Sequence, residues 1–133
     1  MREILFRGKD KKSGDWHYGS LVHRTKYYGE DDDKYFILEG GEFDCDYYDA
    51  YEVIPETIGQ YTGFEDCYEN KIFEGDFIAA DSYDECIGEV GYANGAFSLM
   101  WSGNELLRED LDYWAICRRI KVIGNIFDNK EAQ

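Results

Sequence analysis

The chain reads as an all-β (mainly β) protein with one short helix, arranged as a small barrel. Three observations predict this. About eight short alternating or β-rich runs follow one another at close spacing, as in small barrels and sandwiches. The pair Asn94-Gly95, the preferred centre of a type I′ hairpin turn, separates two of them. Aromatic residues make up 17 %, with twelve Tyr and eight Phe, and such side chains suit half-buried pleated surfaces.

The elements follow in order. Ile4, Phe6 and Gly8 alternate with Leu5 and Arg7, and the polar stretch Lys9 to Asp15 turns the chain. Trp16, Tyr18 and Ser20 then alternate with His17, Gly19 and Leu21. After a Tyr- and Asp-rich loop, Lys26 to Lys34, the run Tyr35-Phe36-Ile37-Leu38 is a strand. Gly40-Gly41 predicts a tight hairpin onto Phe43-Asp44-Cys45, with Leu38 opposite Phe43 and Phe36 opposite Cys45. Tyr51 to Ile54 forms a further strand ended by Pro55.

Thr57 to Gly63 is the junction between two parts, residues 1–60 and 61–133, and lacks the composition of a flexible linker. Beyond it, Lys71-Ile72-Phe73 and Phe77-Ile78-Ala79-Ala80 flank the turn Glu74-Gly75-Asp76. The Asn94-Gly95 turn pairs Tyr92 with Phe97, Val90 with Leu99 and Gly88 with Trp101 on one buried face. Leu106, Leu107, Leu111 and Trp114 are spaced as on a short amphipathic helix over 104–115. Ile120 to Phe127 closes the fold as a strand, with Gly124 at a bulge.

Composition narrows the function classes. The 133 residues suit one domain or two very small ones, and a hydrophobic share of 44 % suffices for a core without disulfides or metal. A net charge of −15 repels phosphate backbones, so direct nucleic-acid binding is not expected; solubility and basic partners are favoured. The acids cluster at Glu30-Asp31-Asp32-Asp33, Glu42 to Asp49, Asp81-Asp84-Glu85 and Glu109-Asp110-Asp112. Cys45, Cys67, Cys86 and Cys117 form no C-x-x-C pair and read as free, partly buried thiols of a cytoplasmic protein. Neither a leader-type apolar segment nor a membrane span is evident, so no membrane association is expected.

No catalytic set assembles from the motifs. The two histidines, His17 and His23, are six residues apart on one strand, about 20 Å if extended. Ser98 and Ser102 have no base nearby in sequence, and no G-x-S-x-G occurs. Asp44-x-Asp46-x-x-Asp49 lacks the remaining ligands and glycine of a calcium loop. Gly40-Gly41 and Gly59-x-x-x-Gly63 lack the Lys-Ser/Thr of a phosphate cradle and read as turns. Arg118-Arg119-Lys121 is too small a basic cluster to override the overall charge. Catalytic, cofactor-binding and metal-binding residues are therefore all expected to be none.

Four segments in series resemble the YopX family of phage and prophage proteins. They are Arg2-Glu3-Ile4-Leu5-Phe6-Arg7 with Trp16 and Tyr18-Gly19; Val53 to Gly63; Ile72-Phe73-Glu74-Gly75-Asp76-Phe77-Ile78; and Val122 to Asn129. Gly8-Lys9-Asp10 departs from the family, which commonly has a Trp-Asp pair there, and Asp66 to Asn70 is less basic. The resemblance implies an all-β fold whose C-terminal part is similar to an SH3-type barrel, with N-terminal β-hairpins packed against it. It implies a phage-encoded origin and transfers no catalytic residue.

Three functions compete. The first is a non-catalytic accessory protein that binds a protein partner or a second copy of itself. The second is an acidic nucleic-acid mimic that blocks a basic DNA-binding protein, and the third a divalent-metal-dependent enzyme.

Overall fold

The computed structural model describes residues 3–40, 48–80, 83–101, 108–111 and 120–128. Strands dominate them, and the chain divides into two compact units, residues 1–60 and 61–133.

In the first unit, β1 (Phe6–Lys9) pairs antiparallel with β2 (Trp16–Arg24), β2 with β3 (Lys34–Gly40), and β3 with β4 (Tyr48–Glu52). The sheet curls back on itself just past β4. Val53 bridges Asp10, the Lys11 N–H donates to the Glu52 carbonyl at 2.9 Å, and the Ile54 N–H donates to the Lys9 carbonyl at 2.9 Å. The start of β5 (Gly59–Glu65) pairs with the other end of β1, through Phe6 and Gln60. Between these two contacts a 3-10 turn, Pro55–Thr57, places Thr57 Oγ1 where it accepts from the Lys9 N–H at 2.9 Å. One threonine thus satisfies a strand donor that neither neighbour reaches.

Ile37 and Val53 are buried inside this curl, at 0 % and 1 % exposure. Gly8 lies against Val53, and a Cβ on it would come 2.9 Å from Val53 Cβ. A larger residue there would force the closing strand away.

The predicted Gly40-Gly41 hairpin is not formed. Gly40 pairs with Tyr48, Leu38 with Ala50 and Phe36 with Glu52, so the connection spans seven residues. The other edge of β3 is taken by β2. With both ladders occupied, β3 has no edge left for Phe43 or Cys45, and residues 41–47 lie outside the described residues.

In the second unit the remainder of β5 pairs with β6 (Lys71–Phe73), Tyr61 opposite Phe73 and Glu65 opposite Lys71. Gly59 and Gly63 both lie in β5, Gly63 within its irregular stretch, so neither marks the turn read from the sequence. A five-stranded antiparallel sheet follows in the order β10-β9-β8-β7-β11: Arg108–Asp110, Ala96–Trp101, Tyr83–Ala93, Asp76–Ala80 and Ile120–Asn125. Its core contains Ile72, Ile78, Val90, Leu99, Trp101, Leu111 and Ile120, with Phe64, Phe97 and Val122 packed against it.

The β8–β9 hairpin has the predicted register, Val90 opposite Leu99 and Tyr92 opposite Phe97. Asn94 and Gly95 carry the positive φ of 54° and 80° that a type I′ turn requires. Tyr92 differs from expectation: it is 60 % exposed, because this long hairpin carries its tip beyond the core. Its ring meets Phe97 edge-on at 5.2 Å.

Of the helix expected over 104–115, Arg108–Asp110 is instead a strand on the edge of β9, Glu109 opposite Leu99. The open edge of β9 offers a ladder of backbone partners, and that tertiary gain overrides a three- and four-residue spacing. Leu111, next in the chain, is helical and fully buried; 104–107 and 112–115 lie outside the described residues.

Two joints hold this unit. In the Phe73–Asp76 turn, Asp76 Oδ2 accepts from the Phe73 N–H at 2.8 Å. The Gly75 N–H donates to the Val90 carbonyl, and the Gly75 carbonyl accepts from Ile126. In the second joint, buried Asp66 accepts from the N–H groups of Tyr68, Asn70 and Val122, and Cys67 N–H donates to the Ile120 carbonyl. This turn therefore covers the outer edge of β11, which would otherwise be free to pair with another chain. Gly124 sits at the expected bulge, while Ile126 and Phe127 lie in the turn after β11 rather than in the strand.

Candidate functional site

Both histidines lie on β2, separated by an even number of residues, and hence on one face of it. His17 contacts β3, β4 and the extension of β1. Its Nε2 is 2.9 Å from Asp10 Oδ2, just after β1, and its Nδ1 is 2.9 Å from Glu39 Oε1 on β3. Its ring stacks on Tyr51 of β4 at 3.7 Å with 6° between planes. Carboxylates accept only, so both ring nitrogens donate when the site is complete and the ring is an imidazolium. Burial acts to lower the His17 pKa, but hydrogen bonds to Asp10 and Glu39 outweigh it and raise the pKa above the ordinary 6.5. Asp10 is held below its usual range by the Lys12 N–H first, then by His17 and the Ser13 N–H.

With both nitrogens engaged by carboxylates, His17 clamps β2 to β3 and to the extension of β1. The sequence contains all three residues, but Asp10, His17 and Glu39 are drawn together only by the strand register, Gly8 opposite His17 and Ile37 opposite Leu21. His23 is engaged similarly at the surface: Nε2 is 2.9 Å from Asp33 Oδ2 and its ring stacks on Tyr35 at 4.6 Å.

Beside this second histidine the first unit contains a groove of about 710 Å³. One wall is the loop Asp31 to Lys34 with Tyr35; the other is the segment Glu52 to Glu56 with Pro55, and Lys11 and Lys26 flank it. The acidic run on this loop serves two ends. Glu30 accepts from Arg24 at 3.0 Å and from the Tyr27 N–H, and Asp33 accepts from the Lys26 N–H at 2.8 Å, so these two fold the loop. The Lys26 N–H and then His23 hold the Asp33 carboxyl below its usual range. Two of the groove lysines are already matched, Lys11 with Glu52 at 3.2 Å and Lys34 with Glu30 at 3.7 Å. Asp31, Asp32 and Glu56 line the groove with no ion pair among the described residues.

The other residues singled out by sequence fall apart in space or outside view. Ser98 is buried in β9. Asp49 is on β4 opposite Glu39, whereas Asp44, Asp46, Ser102, Arg118 and Arg119 lie outside the described residues. Cys67 is free and exposed rather than partly buried; Cys45 and Cys117 and the Cys86 side chain lie outside the described residues. Among the described residues no three His, Cys, Asp or Glu side chains are grouped to hold a metal ion. No helix among them is long and apolar enough to cross a membrane.

The fold and these joints define a small, antiparallel, two-unit β protein. The chain belongs to the YopX family: the family described as YopX protein matches residues 5–132, nearly its whole length. Among solved structures it is similar to protein EF1440 from Enterococcus faecalis, with 20 % sequence identity, a TM-score of 0.57 and 99 % of each chain covered. At that identity the likeness speaks for the fold alone. No curated protein matches the chain. Three of the segments that resemble the family coincide with the structural joints: the Pro55–Thr57 turn, the Phe73–Asp76 turn and the Gly124 bulge.

Proposed function

We propose that the protein is a non-catalytic, phage- or prophage-encoded accessory protein that acts in the bacterial cytoplasm by binding another protein. The observation that carries this reading is the groove of the first unit. Two of its three lysines, Lys11 and Lys34, are neutralised by neighbouring carboxylates, and against the remaining Lys26 stand three acids, Asp31, Asp32 and Glu56, that line it with no ion pair among the described residues. Such a groove suits an extended segment bearing Lys or Arg, with Pro55 and Tyr35 as apolar walls. The engagement of both His17 nitrogens supports the non-catalytic part of the reading.

Short peptides provide the test. Fluorescence anisotropy with labelled Lys/Arg-rich, neutral and acidic peptides should show binding by the basic set only, weakening as salt is raised. The triple substitution D31N/D32N/E56Q should weaken it about tenfold or more. Equal binding of neutral and basic peptides, or binding indifferent to the triple substitution, would overturn the reading. Displacement of duplex DNA from a basic protein, unaffected by the triple substitution, would favour a nucleic-acid mimic instead.

A further inference from the structure

The strand segments that line the groove of the first unit have already used their main chain. The Val53 N–H donates to the Tyr35 carbonyl at 3.0 Å on the β3 side. On the other side the Glu52 carbonyl accepts from the Lys11 N–H and the Ile54 N–H donates to the Lys9 carbonyl, each at 2.9 Å. Pro55, next in the chain, has no N–H, and its carbonyl accepts from Ile58. Tyr35 is flanked in the same way, with His23 of β2 opposite it on one side and Val53 on the other. On the loop, the Lys26 N–H donates to Asp33, the Tyr27 N–H to Glu30 and the Glu30 N–H to the Tyr27 carbonyl.

A ligand that adds a strand to a sheet needs an edge of N–H and C=O groups in alternation. Glu52 to Ile54 and Tyr35 have a neighbour on each side and present no such edge. What the groove leaves to a ligand is side-chain chemistry. Asp31 and Asp32 on one wall and Glu56 on the other line it with no ion pair among the described residues, and Tyr35 and Pro55 add apolar surface.

We propose that the groove takes a disordered, Lys- and Arg-rich tail of its partner and reads it through side chains alone, blind to the order and handedness of the tail's residues. The inference rests on the reading of this groove as the site for a basic segment and adds the manner of recognition. With acids on both walls, a flexible chain can set its cations against carboxylates in many registers, and no hydrogen-bond ladder singles one out. A tail of this composition has too little apolar surface to fold by itself. Because the groove imposes no strand conformation, the tail loses less conformational entropy on binding than a segment ordered into a sheet. Specificity then lies in the number of cations the tail carries.

Fluorescence anisotropy with the full chain and one labelled Lys/Arg-rich peptide in four forms reads this directly. The forms are the parent, a scrambled order, the all-D enantiomer and a version N-methylated at alternate main-chain nitrogens. All four should bind with Kd values within about threefold of one another and weaken in parallel as salt is raised. Strand addition through two or more main-chain hydrogen bonds would instead make the all-D and N-methylated forms about tenfold weaker or worse. A loss beyond about threefold in the scrambled, all-D or N-methylated form overturns this inference while leaving the groove as the site of a basic segment. Absence of binding by the parent peptide overturns that reading and this inference together. The triple substitution D31N/D32N/E56Q should weaken all four forms equally; a form that escapes it is held elsewhere, which also overturns the proposal.

Discussion

Replacing His17 with Phe isolates what the imidazole nitrogens contribute, because a flat ring remains to stack on Tyr51. In the wild type those nitrogens reach Asp10 and Glu39 at 2.9 Å each, and the His17 side chain is 13 % exposed. A hydrogen bond to a charged group contributes about 1.5–3 kcal/mol when buried. Partial exposure of both acids reduces this, and Asp10 and Glu39 keep backbone donors at Lys12, Ser13 and Tyr18. The expected loss on removing the imidazole is therefore about 2 kcal/mol for the pair of bonds. Its pH dependence has a definite sign. The folded-state pKa of His17 is raised, so its contribution is complete below the unfolded value of 6.5 and disappears as pH rises through the folded value. Asp10 is depressed, so its share is present above the unfolded value of 3.8 and lost as pH falls through the folded one. Urea denaturation of wild type and H17F, at intervals from pH 4.5 to 9, should show the largest difference between about pH 4.5 and 6.5 and a shrinking one above it. A difference that stays constant to pH 9 would show that His17 bonds as a neutral tautomer and would refute the clamp.

Other perturbations test other parts of the structure. Leu99→Ala in the second-unit core, at 0 % exposure, should cost about 2–5 kcal/mol by denaturant titration, and a loss below about half a kcal/mol would place Leu99 outside the core. Asp66→Ala should cost about 3 kcal/mol by leaving the Tyr68, Asn70 and Val122 N–H groups without their acceptor. Burial acts to raise the Asp66 pKa, but those N–H groups hold it below 3.8, so its contribution is present above 3.8 and lost as pH falls through the folded value; acid titration of wild type against variant reads this. A gel-shift assay with mixed-sequence duplex DNA at micromolar protein and physiological salt should show no complex, and saturable binding would reveal a basic face hidden by the net charge of −15.

What could be read in advance was local. Asn94-Gly95 specifies its own φ values, and once that turn is placed, period-two alternation fixes Val90 opposite Leu99 without further information. Gly75 and Asp76 likewise mark a corner within four residues of chain. Where the deciding partner lay far along the chain, local signals misled. Gly40-Gly41 has the chemistry of a tight turn, but β2 and β4 competed for the edges of β3 and took both. The leucines around Arg108 fit a helix, and the unpaired edge of β9 was invisible without the sheet that creates it.

The clamp shows why the candidate site was less legible than the fold. The charge count of a segment does not say which acids are spent internally. Asp10 is seven residues before His17 and Glu39 twenty-two after it, so no spacing motif connects them. Only the pairing of β1 with β2 and β2 with β3 converts those separations into adjacency. The same holds at the groove, where Glu30 and Asp33 fold the loop through Arg24, Tyr27 and Lys26. Asp31 and Asp32, which lie between them in sequence, line the groove without an ion pair among the described residues. A run of four acids reads as one uniform charge, but the donors nearby divide it into two that build the loop and two with no ion pair among the described residues. The surface charge open to interaction is what remains after the fold has satisfied its own polar groups. It can be read only once the hydrogen bonds are known.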